Sequence, residues 1–585
     1  MNRFLRRFFV SLSVLAPGFV LGLSNPRIPP VGVVDRQIEL EYEAQKIEAE
    51  KAIPLLEIDI PEDQLDMGDE KVYIEEVSFS GNEVFLTKEL VKIIAPYLGQ
   101  LLSMKEIREM CALIQKKYVK AGYFLTRAYT PAQEIKDGHL RIAILEGKLG
   151  EITIQGNKYY SDAFIRSYFE RFQDKAINYD AFMKELLLLS ENMDLEVAAV
   201  FMKGHSFGTT DVLLRVKDNR PIHLSLDTNN YGSDNTSQIR TGAKLDWGSL
   251  IRYGDVLTVV EVVGSPISSL DFTDAIYYIP VNTRGTGIEL SYLFANFKTG
   301  NVGDDIKFEG RTHIAAGKFI QAINRTRKLS TDFFTSFEYK QVQNLGSGLQ
   351  SSFDKLRVLT GGMNIDYRDD WKGRNLFAGY MSWGIPDILQ GLKVDDSESS
   401  RQGAGGRFIK IGGSGKRFQK LPWDCVLILN AFGQYSFNKL PLPEQIYIGG
   451  IDNVRGYKLA EGLGDQGFVC NIELRVPPPF LRGHKAFWSK KRWGELIHFV
   501  GFLDHAQTFS IGIDKIKEVT RNMEGQKQVT AVPQVKRPIL TSAGAGIRIY
   551  GPWRFDFSFD AGYPLTQKFR SSDTIVYFKI GLQIL

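Results

Sequence analysis

The stretch WRFDFSFD, Trp553 to Asp560, alternates without a break: Trp553, Phe555, Phe557 and Phe559 are interleaved with Arg554, Asp556, Ser558 and Asp560. A β-strand sends successive side chains to opposite faces, so one face of this segment is wholly aromatic and the other wholly polar. The pattern recurs on either side. Val576, Phe578, Ile580, Leu582 and Ile584 alternate with Tyr577, Lys579, Gly581 and Gln583, and Arg548 stands inside the apolar series Ala543, Ala545, Ile547 and Ile549. Two architectures produce such a pattern. A soluble sandwich turns its polar face to water and its apolar face to a second sheet, whereas a membrane barrel turns the apolar face to lipid and the polar face to a wet lumen. The rest of the chain has to decide between them.

The chain is 585 residues long, more than one core accommodates. Its N-terminus places Arg3, Arg6 and Arg7 ahead of an apolar run from Phe8 to Leu23. That order predicts a secretory signal peptide over residues 1–24, with cleavage near Ser24; a retained anchor is the alternative. No later run reaches the 18 apolar residues of a spanning helix. An exported chain of this kind is either soluble outside the cytoplasm or a barrel.

The net charge of +4 is modest and does not point to nucleic acid, but its distribution is uneven. Asp35 to Lys71 holds 13 acidic and 4 basic residues, a local net of −9 that leaves +13 for the remainder. Within the N-terminal segment 25–52, residues 35–52 are rich in Glu, Ala, Gln and Lys and predict a helix capped by Asp35. Either it is a solvated helix or it occupies a polar channel. Residues 53–71, with two prolines and seven acidic side chains, read as an extended linker.

An internal repeat follows. VSFSGN (Val77–Asn82) and ITIQGN (Ile152–Asn157) match at an offset of 75 residues, each a short strand ending in a Gly-Asn turn. Each precedes two helical patterns (87–97 and 104–121; 161–172 and 179–193) and a closing pair of strands. Two small α/β modules are therefore expected, over 72–147 and 148–220, with turn residues Gly81, Asn82, Gly156 and Asn157.

From residue 221 to 585 helical periodicity gives way to alternation. About sixteen segments have the length of tilted membrane crossings. They begin near Ile222, Ser237, Asp255, Leu270, Arg284, Ile306, Leu329, Lys355, Arg374, Gly405, Trp423, Gln466, Glu495, Thr541, Trp553 and Asp573. An even number lets both ends of the sheet meet on one side and removes exposed edges. The connection from Pro477 to Gly494 fits badly, since an inner turn should be short and this one is long and basic.

No enzyme signature is present. Cys111, Cys425 and Cys470 form neither a disulfide framework nor a metal site, and the seven histidines contain no HExxH pair. Residues 412–418, GGSGKRF, lack the first glycine and the Ser/Thr of a phosphate loop, and no G-x-S-x-G occurs. No catalytic residue, metal or cofactor is expected.

Between the eleventh and twelfth segments lies IGGIDNVRGY, Ile448 to Tyr457, in the sixth outer loop if the N-terminal modules lie inside. Together with the signal peptide, acidic helix, paired repeats and sixteen strands, this loop makes the chain resemble the two-partner secretion outer-membrane transporters of the haemolysin secretion/activation type. These belong to the superfamily that joins periplasmic POTRA domains to a barrel. The resemblance spans the mature chain. It implies a mixed fold: two POTRA domains followed by a 16-stranded antiparallel transmembrane barrel in the bacterial outer membrane, plugged by the N-terminal helix. It also implies that the motif Val454, Arg455, Gly456 and Tyr457 folds into the lumen, where Arg455 meets Asp504 of the F-x-D motif Phe502-Leu503-Asp504 on the thirteenth strand. The chain departs from the family in ending Gln583-Ile584-Leu585 rather than on an aromatic residue.

The implied function is export of a large unfolded exoprotein, recognised by the POTRA domains and passed through the pore. Outer-membrane lipid and the machinery that inserts barrels are the other implied partners; nucleic acid is not. Two alternatives stay open on the residues alone: a factor that assembles other barrels, and a passive porin.

Overall fold

The computed structural model describes residues 56–59, 71–233, 236–299, 307–487, 491–512, 515–521, 527–533, 538–566 and 574–584. The expected signal peptide, the acidic helix and most of segment 53–71 lie outside them.

Sixteen antiparallel strands close into a barrel. The first eight are Ile222–Asn229, Arg240–Gly248, Val256–Gly264, Leu270–Pro280, Thr286–Lys298, Phe308–Arg325, Leu329–Gly346 and Leu349–Arg368. The second eight are Gly373–Gly384, Phe408–Lys420, Val426–Ser436, Gln466–Val476, Ile497–Phe509, Ile539–Tyr550, Asp556–Pro564 and Ile575–Gln583. Each pairs with its sequence neighbours, and the seam sets Ser225–Asn229 of the first strand against Lys579–Gln583 of the last. Alternation is resolved as the barrel requires. Phe559, Val576 and Ile580 are exposed on the outer wall, while Asp560, Tyr577 and Lys579 point inward and are buried. An apolar face with no second sheet against it excludes the sandwich.

Most strands begin close to the positions expected. The eighth starts at Leu349 rather than Lys355, the eleventh at Val426 rather than Trp423, and the fifteenth at Asp556 rather than Trp553. In the last two cases a single helical turn precedes the strand, with Trp423 and Arg554 at positive φ, so aromatic residues that read as strand belong to a tight corner.

The N-terminal modules lie at the inner end. In the first, Thr87–Ile94 and Met104–Lys120 pack on a sheet ordered Glu76–Ser80, His139–Leu145, Arg127–Tyr129. In the second, Asp162–Ser167 and Tyr179–Ser190 cover Leu195–Lys203, Thr209–Asp218 and Lys148–Gln155. The repeated Gly-Asn turns are the same device twice. Gly81 and Gly156 have φ of 82° and 98°, and a Cβ on them would stand 2.3 and 2.2 Å from the carbonyl oxygens of Ile144 and Val216 on the neighbouring parallel strand. Asn82 then donates to the Phe85 carbonyl at 3.0 Å and Asn157 to that of Tyr160 at 2.8 Å. These four residues shape the modules from within.

The segment expected as a linker is not wholly one. Leu56–Asp59 is a strand added in parallel to Ala199–Met202, on the edge of the second module's sheet. An edge strand presents unpaired backbone groups, and this neighbour satisfies them.

The second module is joined to the barrel by contacts with the inner turns. The Phe164 ring packs tilted against Tyr253, centroids 5.2 Å apart, and Glu191 accepts from the Arg325 Nε at 2.6 Å. Asp194 meets His223 on the first strand at 2.6 Å. All three barrel residues lie at strands one to seven, so one side of the inner rim is covered.

Candidate functional site

The loop between the eleventh and twelfth strands, residues 437–465, turns into the barrel. Its hairpin Ile446–Ile448 with Gly462–Gly464 crosses the lumen and presents alternate side chains to opposite walls. Ile446, Ile448, Val454 and Tyr457 pack on Val469, Ala506 and Leu540 of strands twelve to fourteen. Tyr447, Leu459, Ala460 and Leu463 pack instead on Val260, Val262, Leu270, Phe272, Leu293, Ala295 and Phe297 of strands three to five. The crossing hairpin is thus seated between two apolar patches on opposite walls.

Gly449 and Gly450, both at φ 101°, allow the chain to leave the hairpin and carry Arg455 to the wall. Arg455 and Asp504 are both buried. The guanidinium meets the carboxylate through two parallel bonds, Nε to Oδ2 at 2.8 Å and Nη2 to Oδ1 at 3.0 Å, and the Arg455 backbone N–H donates to Oδ2 at 3.1 Å. Its free edge donates from Nη1 to Glu473 Oε2 at 2.7 Å, and its face lies 3.5 Å from the centroid of the Phe502 ring. The F-x-D spacing explains the pair of contacts from the wall. Phe502 and Asp504 are two residues apart and so project to the same side of the strand, the ring beneath the guanidinium and the carboxylate at its edge.

The charges around Arg455 form a closed set. Arg475 donates to Glu473 at 2.8 Å, and Arg548 reaches Asp560 at 2.9 Å on the fifteenth strand. Asn471 supplies Asp504 with a further donor at 3.0 Å. Three arginines, one from the loop, therefore face three carboxylates across four adjacent strands, which is how buried charge is tolerated. Gly456, at φ 91°, donates its N–H to the Tyr577 hydroxyl at 3.2 Å, which itself donates to the Tyr457 carbonyl at 3.0 Å. Tyr457 donates to the Thr541 carbonyl at 2.8 Å. Val454 is fully buried in the apolar cluster below.

The roots of the loop are fixed as firmly as its tip. Glu444 accepts from Lys340 at 2.9 Å and Lys410 at 2.7 Å, on strands seven and ten. Asp465 and Arg401 are both fully buried and pair through two bonds, the longer at 2.9 Å. Asp465 also accepts the backbone N–H of Leu440 at 2.8 Å and of Ile511 at 2.7 Å. One carboxylate thus ties together the outer loops at 385–407, 437–465 and 510–538.

Reasoning from sequence missed Glu473, Asp560, Tyr577, Glu444 and Asp465. A signal existed for the first: Asn471, Glu473 and Arg475 are three successive polar positions on one face of the twelfth strand. Among the described residues no group of three or more His, Cys, Asp or Glu is placed to hold a metal. The site is a lock on a loop.

Comparison with known proteins agrees with this geometry. Residues 72–147 match the POTRA domain of ShlB type, residues 208–487 the haemolysin secretion/activation protein family ShlB/FhaC/HecB, and residues 396–584 the Omp85 superfamily domain. The haem/haemopexin transporter protein HuxB of Haemophilus influenzae is 22% identical over 409 residues, 67% of this chain and 70% of its own. The outer membrane transporter CdiB of Escherichia coli O6:K15:H31 is 22% identical over 453 residues, 75% of each chain. Among solved structures, CdiB from Escherichia coli superposes with a TM-score of 0.72 at 18% identity, covering 96% of this chain and all of that one. CdiB from Acinetobacter baumannii gives 0.67 at 16% identity, covering 95% and 100%. The chain belongs to the two-partner secretion transporters of the bacterial outer membrane, with its POTRA domains in the periplasm and its barrel in the bilayer.

Proposed function

We propose that this transporter exports one or a few large exoproteins in unfolded form, and that the loop held by Arg455 and Asp504 is the moving part of its pore. The observation that carries the reading is the loop itself: it fills the lumen from wall to wall yet is held by discrete, exchangeable contacts rather than by the barrel's own ladder. Recognition of cargo by strand addition is supported by the edge Leu195–Lys203, which already accepts Leu56–Asp59 as an added strand. The expected helix over residues 35–52 is the plug at rest, and the net −9 of the arm that carries it, against a basic remainder, is the physical reason for its docking. Export draws on folding of the passenger outside, and the barrel itself depends on the cell's insertion machinery.

The test compares culture supernatant and outer-membrane fractions of cells with and without the protein by quantitative proteomics. Loss of one or two very large supernatant proteins with an unchanged membrane profile is expected. A general fall in barrel proteins would make it an assembly factor instead. For the plug, deletion of residues 35–52 is expected to raise single-channel conductance, and an unchanged conductance would remove the plug from the mechanism.

A further inference from the structure

One inner connection of the barrel is unlike the others. Six of them, 249–255, 281–285, 326–328, 369–372, 421–425 and 551–555, are tight turns, whereas the chain between Val476 and Ile497 runs through residues 477–496. It contains no Asp or Glu from Pro477 to Gly494, and Arg482, Lys485, Lys491 and Arg492 are all exposed. Among the described residues no carboxylate pairs with the side chains of Arg482, Lys485 or Arg492; the one acidic residue of the connection, Glu495, accepts the Arg492 backbone N–H at 3.1 Å. Phe480 and Phe487 stand beside them at 89% and 87% exposure. The segment has a defined shape. Arg482 N–H donates to the Pro478 carbonyl at 3.0 Å, Ala486 to Lys491 at 3.0 Å and Trp493 to His484 at 2.9 Å.

The position of this segment on the rim narrows what it meets. The second POTRA domain covers the inner turns beside strands two to seven, through Tyr253 and Arg325. The uncovered side bears Trp371 and Trp423 at the tips of the next two inner turns, 81% and 74% exposed, and then this segment. Exposed rings at the ends of membrane-crossing strands stand at headgroup depth, and cations among them face lipid phosphates. The acidic arm of the same chain is a rival occupant for the cations, but it gives no role to four exposed aromatic rings. We propose that residues 477–487, with Lys491 and Arg492, are a docking surface for anionic glycerophospholipid headgroups of the inner leaflet. The cations take the phosphates, and Phe480 and Phe487 enter the layer beneath them. The segment joins the strands that carry Asn471, Glu473, Phe502 and Asp504, so the lipid steadies the wall against which Arg455 is locked. This inference rests on the barrel's place in the membrane.

The test uses the full-length protein inserted into phosphatidylethanolamine vesicles with or without phosphatidylglycerol, followed by native mass spectrometry of the lipids it retains. Insertion of the wild type, read by heat-modifiable mobility, checks the barrel; selectivity for phosphatidylglycerol checks the docking surface. Relative to wild type, the variant R482Q/K485Q/K491Q/R492Q is expected to retain phosphatidylglycerol about tenfold less, and F480S/F487S less than wild type but selectively. Raised salt should weaken retention by the wild type. Equal retention by the charge variant would overturn the proposal. So would carbodiimide cross-linking of Lys485 or Lys491 to acidic residues 35–71 in those vesicles, which would assign the surface to the arm.

Discussion

Gly456 in the lumen loop and Gly562 on the fifteenth strand leave no room for a side chain on each other: a Cβ on Gly456 would stand 2.8 Å from the Gly562 carbonyl, and one on Gly562 would stand 2.5 Å from the Gly456 nitrogen. The backbone of the loop touches the backbone of the wall. Gly562 is the cleaner probe, because its strand accepts alanine without strain while Gly456, at positive φ, does not. Gly562→Ala is expected to push the loop off the wall at a cost of about 2 kcal/mol. Secretion should fall while the barrel still inserts; a variant that exports normally would show that the contact is not needed for transport.

Removing Arg455 leaves Asp504 and Glu473 buried without their shared cation, a loss on the order of 3–5 kcal/mol. Arg455→Ala is expected to abolish export from barrels that still insert. Asp504→Ala should resemble it, and the double variant should be no worse than either, because the two residues act as one unit. Arg455→Lys should not restore export. An ammonium cannot bridge two carboxylates while lying flat on the Phe502 ring. Additive effects in the secretion assay would separate the two residues.

Asp465 offers a different handle, far from the tip of the loop. Asp465→Ala releases the Arg401 guanidinium together with the backbone donors of Leu440 and Ile511. Protease added to intact cells is expected to cut the outer loop at 385–407 faster than in the wild type. An unchanged cleavage rate would mean that other contacts hold these loops.

Acid should loosen the second POTRA domain. Burial alone would raise the Asp218 carboxyl, but N–H donations from Tyr160, Lys158 and Tyr159 outweigh it and hold the group below the ordinary aspartate value. A depressed carboxyl contributes stability above its unfolded value of about 3.9, and that contribution is lost as pH falls through the folded one. The wild type is therefore expected to lose protection of amide hydrogens in residues 158–165 below about pH 4. Asp218→Asn should remove that step of the pH dependence.

The barrel was largely legible because alternation is a local property of the chain. Where the alternation stops meaning membrane, legibility stops too. The polar start of the eighth strand, Leu349 to Ser352, extends past the apolar band, and the corners at Trp423 and Arg554 carry aromatic residues outside any strand. Arg455 and Asp504 were found through a family pattern. Glu473, Asp560 and Gly562 meet the loop through its three-dimensional path, which no spacing along a strand encodes. The added strand Leu56–Asp59 was hidden for a related reason: its partner, Ala199–Met202, lies more than a hundred residues away.

The apolar patch on strands three to five gives the loop a direction of return. Any outward swing of the loop uncovers Tyr447, Leu459 and Leu463 and, opposite them, Val260, Val262 and Phe272. Wetting even half of these side chains costs on the order of 5 kcal/mol. On the proposed mechanism the loop is a sprung valve: the cost of wetting these faces drives it shut, and a passenger in transit has to hold it open until its last segment has cleared the bore.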